Sequence, residues 1–231
     1  MPHGTSWFVV LARSAVMSFS VTGDAYGVLV PVKPTAVAKS RLLPLGDPFR
    51  TALAVSFVVD TVTAVLATPQ VSCVLVVSDD HELARGLSAL GAEVVPDGAG
   101  DDLNASLLQA AAELRRRHGD LRIAALCADL PALRSEQLSR ALLAAADDQM
   151  SFVADTERVG TTACMAPDVD LFRPRFGPAS RQRHLEAGAI EIDLPDIETL
   201  RRDVDTPADL AAARDLGVGA RTAVLVTALR L

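Results

Sequence analysis

Residues 71–96 read VSCVLVVSDDHELARGLSALGAEVVP, and this stretch decides the fold class. It begins with a continuous apolar run, Val71–Ser78, which is typical of a strand buried on both faces of a sheet. Asp79–Asp80 then begins a predicted helix, and Gly91 ends that helix as a left-handed cap. A second strand is predicted at Glu93–Pro96. A strand, a helix and a strand in this order predict an α/β fold with a largely parallel sheet.

The same alternation of strands and helices continues on both sides of this unit. Upstream, Gly27–Val32 is a predicted strand, and Asp47 with Pro48 begins a long helix, because the pair supplies an N-cap acceptor and a proline at the first helical position. Downstream, a helix at Leu103–His118 precedes a strand at Ile123–Ala128. Further predicted elements are strands at Phe152–Ala154, Thr162–Ala166 and Ile190–Leu194, and helices capped by Ser135 and Thr206. We therefore predict a single-domain, Rossmann-like α/β fold whose mostly parallel sheet is flanked by helices.

The composition limits the classes of protein that this chain can represent. Half of the 231 residues are hydrophobic but only 4% are aromatic, so Ala, Val and Leu build the predicted core. The net charge of −7 argues against a nucleic-acid-binding protein, which usually carries a basic surface. The three cysteines lie far apart without the spacing of a metal site. They are typical of reduced core residues in a cytoplasmic protein.

The apolar runs and the N-terminal segment argue against a membrane protein. No uninterrupted apolar run reaches the ~18 residues that a membrane helix needs. Residues 1–24 lack a convincing signal-peptide pattern, and we predict them to be a disordered extension ahead of the fold. We assign the domain to residues 25–231 and expect it to be cytoplasmic. A homodimer is compatible with the sequence, which carries no feature that decides the oligomeric state.

Three basic residues follow the first predicted strand, and ligands of α/β proteins bind at the carboxyl ends of strands. They are Lys33, Lys39 and Arg41, and the two lysines stand against twenty arginines in the whole chain. Their spacing is not that of a P-loop, and no Gly-rich dinucleotide motif follows the strand. We interpret the three cations as a binding site for nucleotide phosphates. The alternative is chance clustering in an arginine-rich chain.

Aspartates follow two other apolar segments. Asp129 leaves its predicted strand on a turn with Pro131, whereas Asp203 and Asp205 alternate in an extended segment, so that both carboxylates point to one side. Carboxylate oxygens are the hard ligands that Mg²⁺ prefers, and we interpret the three as a metal site. Alternatively, Asp129 satisfies turn amides and the other two stabilise a helix N-terminus. Pro207 excludes the D-x-D-x-[TV] motif of haloacid-class phosphatases.

Weaker candidates lie in two loops and at one helix start. The small residues from Gly177 to Ser180 begin a short helix whose amides are candidate ligands for an anion. Asn104, near the start of its helix, and the segment Gly160–Thr162 also carry polar groups. His184 lies on the same short helix. A lone histidine in such a place is typical of the surface, so we give it no role.

Five motifs together carry a resemblance to a known family. They are Val30-Pro-Val-Lys33 with Ala38-Lys-Ser-Arg-Leu42, Asp102-Leu-Asn-Ala105, Ala128-Asp-Leu-Pro-Ala-Leu133, Arg175-Phe-Gly-Pro-x-Ser180 and Asp203-Val-Asp-Thr-Pro-Ala-Asp-Leu210. By these motifs the chain resembles the guanylyltransferases that make the phosphodiester precursor of the deazaflavin redox coenzyme. Their acceptor is phosphoenolpyruvate or 2-phospho-L-lactate. The resemblance covers about Gly27 to Gly219 and implies a nucleotidyltransferase fold.

The resemblance also implies roles for individual residues. The residues implied to contact phosphoenolpyruvate are Thr162, Gly177 and Ser180, and those implied to hold Mg²⁺ are Asp129, Asp203 and Asp205. For the nucleotide, we predict contacts from Lys33, Lys39, Arg41 and Asn104, with Lys33 and Asp129 as the catalytic pair.

The resemblance implies transfer of GMP from GTP to the phosphate of phosphoenolpyruvate. The expected partners are thus GTP and a small phosphorylated carboxylic acid, without nucleic acid or membrane. The phosphate is mostly dianionic at neutral pH, because its second pKa is about 6, and needs no general base. Alternatives are the same reaction with 2-phospho-L-lactate or a molybdopterin as acceptor, or a nucleotide-binding regulator without turnover.

Overall fold

The computed structural model of the protein describes residues 25–32, 42, 47–100 and 102–229. The predicted extension at residues 1–24 lies outside the described residues. Three predicted nucleotide-binding residues, Lys33, Lys39 and Arg41, lie outside them as well. Their roles therefore stay predictions.

Strands and helices alternate along most of the described chain. The strands are β1 (Tyr26–Pro31), β2 (Val71–Val77), β3 (Glu93–Val95), β4 (Arg122–Leu126), β5 (Ser151–Ala154), β6 (Thr161–Ala166) and β7 (Ile190–Glu191). The helices are α1 (Asp47–Leu66), α2 (His81–Leu90), α3 (Leu103–His118), α4 (Ser135–Leu143), α5 (Ser180–Glu186), α6 (Glu198–Arg201), α7 (Pro207–Leu216) and α8 (Ala220–Leu229). The predicted α/β class is confirmed.

All seven strands form one sheet in the order β3-β2-β1-β4-β6-β5-β7. The pairs β1–β2, β1–β4, β2–β3 and β5–β7 are parallel, and only β6 runs antiparallel to its neighbours β4 and β5. The predicted mostly parallel sheet is confirmed. Because β6 is reversed, its first residues lie at the carboxyl end of β4.

The sheet is covered by helices on both faces, which explains the unbroken apolar runs in its strands. On one face, Val28, Val30, Val74 and Val76 pack in a single cluster with residues of α1, α2 and α4. On the other face, Leu29, Leu75 and Val77 pack with Leu107 and Leu114 of α3 and their neighbours. Alternate residues of β1 and β2 are therefore buried on opposite faces, as expected for interior strands of a parallel sheet.

Local capping signals in the sequence set several helix ends. The Asp80 carboxylate accepts hydrogen bonds from the backbone N–H groups of Glu82 and Leu83, and Gly91 ends α2 with φ +104°. Thr206 and Asp209 form a capping box at the start of α7. These predicted caps are confirmed.

Other element boundaries differ from the prediction. Ser135 is not a cap but the first residue of α4, and Arg134 occupies the N-cap position without a side-chain cap. The strand predicted at Ile190–Leu194 is limited to the two residues of β7, where only β5 supplies a partner within the described sheet. Helices α6 and α8 were not predicted.

Helix α8 begins where α1 supplies its cap. The carboxylate of Asp60, on α1, accepts hydrogen bonds from the backbone N–H groups of Arg221 and Thr222, at 3.0 and 2.8 Å. Gly219, the residue before the helix, lies so close to Asp60 that a Cβ atom at this position would collide with the Asp60 side chain. The cap comes from a residue far away in sequence, so no local sequence motif predicts this helix.

Helix α1 is long and apolar enough to span a membrane by length and composition alone. Its 18-residue window Phe49–Leu66 has a mean hydropathy of 1.6 and is 56% buried. The sequence prediction missed this window because Arg50 and Asp60 interrupt the apolar run. In the structure Phe57 and Val62 pack into the core. We therefore interpret α1 as a core helix.

Candidate active site

The turn after β4 places Asp129 at the carboxyl end of the sheet and is anchored from two sides. From α1, the hydroxyl oxygen of Thr61 accepts a hydrogen bond from the N–H of Leu130 at 3.0 Å. From the segment before α7, the N–H of Val204 donates to the carbonyl oxygen of Asp129 at 3.1 Å. The second bond brings Asp203 and Asp205 beside Asp129.

Val204 lies between Asp203 and Asp205, the other two predicted metal ligands, in the sequence. It is fully buried in a small cluster with residues such as Phe57 and Leu210. Asp203 and Asp205 flank it and are half-buried, as is Asp129. The three predicted ligands therefore lie on two adjoining backbone segments.

The donor set fits a magnesium site that depends on its substrates. No group of three or more His, Cys, Asp or Glu side chains in the described part of the chain is close enough to hold a metal ion. Mg²⁺ usually binds one or two carboxylates together with water and substrate phosphates, rather than a cage made by protein alone. Carboxylates on neighbouring segments, without a closed cage, are compatible with that pattern. The assignment stays a prediction.

Thr162 lies at a β-bulge next to this turn. The pairing of β5 with β6 passes from Val153 opposite Ala163 to Ala154 opposite Thr161, so Thr162 is the extra residue of the bulge. Its carbonyl oxygen accepts a hydrogen bond from the N–H of Cys127 at 2.8 Å, two residues before Asp129. Bulges re-aim side chains and are frequent beside active sites.

The hydroxyl of Thr162 is buried and has no hydrogen-bond partner in the described part of the chain. The residue is 1% exposed, and its Oγ1 has no hydrogen bond within the described residues. Most buried polar side-chain atoms are hydrogen-bonded, so an unpaired hydroxyl at this position calls for an explanation. A ligand with an acceptor or donor atom at this place would satisfy it.

Asn104 holds the loop that carries Gly177. Its side-chain amide donates to the carbonyl oxygen of Phe176 at 3.0 Å, and its Oδ1 accepts from the N–H of Phe176 at 2.8 Å. Asn104 thus pairs with the backbone immediately before Gly177. Its predicted contact with the nucleotide stays a prediction, and the structure gives it a supporting role in the loop.

The loop from Gly177 to Ser180 has an uncommon backbone. Gly177 has φ +119° and Ala179 has φ +52°, and Ser180 is 2% exposed as the first residue of α5. A Cβ at Gly177 would lie 3.2 Å from a guanidinium nitrogen of Arg183. The N–H of Arg181 is already bonded to the carbonyl of Val159. The expectation that the amides of this turn remain free for an anion therefore fails for Arg181.

The prediction that His184 lies on the surface is wrong. Its side chain is fully buried and stacks on Phe152, with ring centroids 5.2 Å apart. Its Nε2 lies 3.0 Å from the backbone N–H of Arg175, and its Nδ1 lies 2.8 Å from the carbonyl oxygen of Ser180 and 3.1 Å from Oγ1 of Thr161. His184 therefore joins three segments of the site.

Burial keeps the imidazole of His184 neutral. It lowers the pKa of His184 from 6.5 to about 4, and the nearby guanidinium groups of Arg183 and Arg175 act in the same direction. The hydrogen bond to the Ser180 carbonyl opposes this shift. The sequence did offer one signal: His184 lies four residues after Ser180, on the same side of α5.

The structure thus brings most of the predicted site residues of the described chain together. Thr162 is bonded to the strand end before Asp129, and Asp129 is bonded to the segment between Asp203 and Asp205. Ser180 is linked to β6 through His184, and Gly177 is linked to Asn104 through Phe176. Hydrogen bonds therefore link the segments that carry these residues, from the end of β4 to the start of α5.

Comparison with known proteins identifies the family of the chain. The family model described as "Guanylyl transferase CofC like" matches residues 26–227. The chain belongs to this family. A relative from Thermomonospora curvata named phosphoenolpyruvate guanylyltransferase is 48% identical over 212 residues, which cover 90% of this chain and 93% of the relative. One of the same name from Streptomyces scabiei is also 48% identical, over 206 residues, with coverage of 87% and 95%.

A solved structure supports the fold of this CofC-like chain. A nucleotidyl transferase from Methanothermobacter thermautotrophicus has a TM-score of 0.61 and 22% sequence identity, and the match covers 84% of this chain and 97% of that one. The predicted family and nucleotidyltransferase fold are confirmed. The CofC-like chain is a nucleotidyltransferase enzyme.

Proposed function

We propose that this CofC-like enzyme transfers GMP from GTP to the phosphate of phosphoenolpyruvate, giving enolpyruvyl-diphospho-guanosine and pyrophosphate, in biosynthesis of the deazaflavin coenzyme. The observation that carries the proposal is the buried hydroxyl of Thr162 beside the Asp129 turn, which has no partner among the described residues. Relatives that are 48% identical are named for this substrate pair, which supports the same choice of acceptor here.

The acceptor pocket suits a small, highly charged acid. Thr162 contributes a buried hydroxyl, Ser180 lies at the start of α5, and Gly177 adds no side chain to the loop before α5. Phosphoenolpyruvate has a carboxylate and a phosphate on a three-carbon skeleton, so a hydroxyl and nearby backbone groups can reach both.

The reaction needs alignment and charge neutralisation more than proton transfer. An oxygen of the acceptor phosphate attacks the α-phosphorus of GTP, and the bond to the β-phosphate oxygen breaks as pyrophosphate leaves. The attacking phosphate is mostly dianionic at neutral pH, because its second pKa is about 6. No side chain has to remove a proton, which is compatible with the neutral, buried His184.

Charged residues of the chain supply the electrostatic part of the proposal. Lys33, Lys39 and Arg41 would hold the triphosphate in the segment after β1. Carboxylates from Asp129, Asp203 and Asp205 would hold Mg²⁺ together with substrate phosphates, with Asp129 fixed by the anchored turn after β4. When bound, Mg²⁺ would neutralise phosphate charge during the transfer. Asn104 would act on the acceptor loop.

A substrate grid tests the proposal. Purified protein is incubated with Mg²⁺, each of the four nucleoside triphosphates and each acceptor, phosphoenolpyruvate or 2-phospho-L-lactate, and pyrophosphate release is measured. We expect rapid release only with GTP and phosphoenolpyruvate together. Faster release with 2-phospho-L-lactate would overturn the acceptor assignment. Absence of release with every pair would favour a nucleotide-binding regulator.

A further inference from the structure

We propose that His184 is a positioning residue for the acceptor, which holds Ser180, the Gly177 loop and the start of β6 in one arrangement through its two ring nitrogens. The inference rests on the proposed function, because it assigns His184 to the phosphoenolpyruvate side of the site. It concerns a residue that contacts the supporting backbone, so His184 is not a catalytic residue.

The hydrogen bonds of His184 determine which ring nitrogen carries the proton. The N–H of Arg175 can only donate, so Nε2 at 3.0 Å must accept and carries no proton. The proton of the neutral ring is therefore on Nδ1, where it points to the carbonyl oxygen of Ser180 at 2.8 Å. The hydroxyl oxygen of Thr161 lies 3.1 Å from the same nitrogen.

Each of the three partners of His184 either is a predicted acceptor residue or lies within two residues of one. Arg175 lies two residues before Gly177, and Thr161 directly precedes Thr162 at the β-bulge. Ser180 is itself a predicted acceptor contact. One ring therefore fixes the relative positions of all three segments from which the acceptor contacts come.

A histidine meets a requirement that a purely apolar aromatic residue does not meet. The ring stacks on Phe152 and meets Phe176 edge to face, with centroids 5.2 and 5.7 Å apart, and this packing needs only an aromatic ring. The backbone N–H of Arg175 and the carbonyl of Ser180 need an acceptor and a donor on opposite sides of that ring. Neutral imidazole supplies both.

The substitution His184→Phe separates positioning from packing, because it keeps the ring and removes both nitrogens. We expect the KM for phosphoenolpyruvate to rise about tenfold or more, as expected for loss of a hydrogen bond. The dissociation constant for GTP, measured by calorimetry without acceptor, should change less than twofold. If His184 only fills the core, the melting temperature will fall and both constants will stay at their wild-type values.

Two further variants keep the test informative if the phenylalanine variant folds poorly. His184→Gln places an amide oxygen near the position of Nε2, where it can accept from Arg175. We expect it to recover part of the wild-type KM for phosphoenolpyruvate. His184→Asn keeps a donor near Ser180 but cannot reach Arg175, and its KM should lie above that of the glutamine variant.

Tyr26→Phe is the control, because it keeps the ring and removes a buried hydroxyl far from the acceptor. The hydroxyl of Tyr26 donates to the carbonyl of Leu142 at 3.0 Å, and Tyr26 is the first residue of β1, at the opposite end of the sheet. This variant should lose thermal stability and keep the wild-type KM for phosphoenolpyruvate.

The outcomes separate this inference from the proposed function. A wild type that does not use phosphoenolpyruvate contradicts the proposed function, and the assignment of His184 to that acceptor falls with it. An active wild type contradicts only the positioning role if all the His184 variants keep its KM for phosphoenolpyruvate. Equal losses of GTP and acceptor binding also contradict that role, because His184 would then shape the whole cleft.

Discussion

Thr162 is the residue at which stability and the proposed function make opposite demands. A buried hydroxyl without a hydrogen bond costs about 1–3 kcal/mol, and valine has the same shape without that cost. Since the hydroxyl has no partner within the described residues, it contributes nothing visible to the fold. The proposed role in binding the acceptor would account for its presence at the bulge.

The substitution Thr162→Val should therefore stabilise the protein while it weakens acceptor use. We expect the free energy of unfolding to rise by about 1 kcal/mol and the KM for phosphoenolpyruvate to rise about tenfold or more. Urea unfolding and steady-state kinetics measure the two effects.

Thr222→Val is the matched control, because Thr222 on α8 has an equally buried hydroxyl that likewise lacks a partner within residues 25–32, 42, 47–100 and 102–229. It should gain stability at an unchanged KM, and a similar KM increase in both variants would remove Thr162 from the acceptor site.

The neutral state of His184 predicts a pH dependence of stability. The pKa of His184 is lowered from 6.5 to about 4, so the unfolded state binds more protons between these pH values. The stabilising contribution is complete above pH 6.5 and is lost as the pH falls to about 4. The loss amounts to at most about 3 kcal/mol. Urea unfolding of the wild type and His184→Phe should show a steeper decline for the wild type in this window. Parallel curves would mean that His184 is protonated as easily in the folded state as in the unfolded state, and would contradict the lowered pKa.

Helix α1 is the element that supports the turn of Asp129. Thr61 on α1 accepts from the N–H of Leu130, and Asp60, the preceding residue, caps α8. The same helix therefore fixes the predicted metal ligand and the C-terminal helix. Its apolar character follows from this central position in the packing.

Loss of the support from α1 should loosen the turn. Thr61→Val keeps the shape of the side chain but leaves the buried N–H of Leu130 without its partner, which should cost about 1–3 kcal/mol of stability. We also expect a lower kcat, because Asp129 is next to Leu130. Chemical unfolding and initial rates measure both. The control Thr63→Val removes an exposed hydroxyl that bonds within the same helix and should change stability by no more than about 0.5 kcal/mol. An unchanged kcat in Thr61→Val would show that Asp129 does not depend on this anchor.

For the molecule as a whole, the sequence predicts those features that local patterns determine. The apolar runs of β1, β2 and β4 and the caps Asp80, Gly91 and Thr206 lie where they were expected. Long-range contacts decide the rest. The burial of His184 depends on Phe152 and Phe176, and the start of α8 depends on Asp60.

The candidate site also combines features that the sequence predicts with features that depend on long-range contacts. Asp129 was proposed from an acid at the end of an apolar strand, whereas the resemblance implied the acceptor contacts of Thr162 and Ser180, and all three roles stay predictions. The β-bulge that makes Thr162 the extra residue arises from the pairing of β5 with β6 and leaves no local signature. The supporting role of Asn104 likewise depends on its contact with Phe176, which is distant in sequence.

Following the α-phosphorus of GTP tests the central claim most directly. Protein is incubated with Mg²⁺ and GTP labelled at the α-phosphate, with and without phosphoenolpyruvate. The labelled products are then separated and identified by mass spectrometry. We predict that the label moves into a diphosphate-linked product containing both guanosine and enolpyruvate, only when phosphoenolpyruvate is present. Folded Asp129→Asn should form none. Label that stays in GTP or appears only as free GMP, or full activity of Asp129→Asn, would contradict the account.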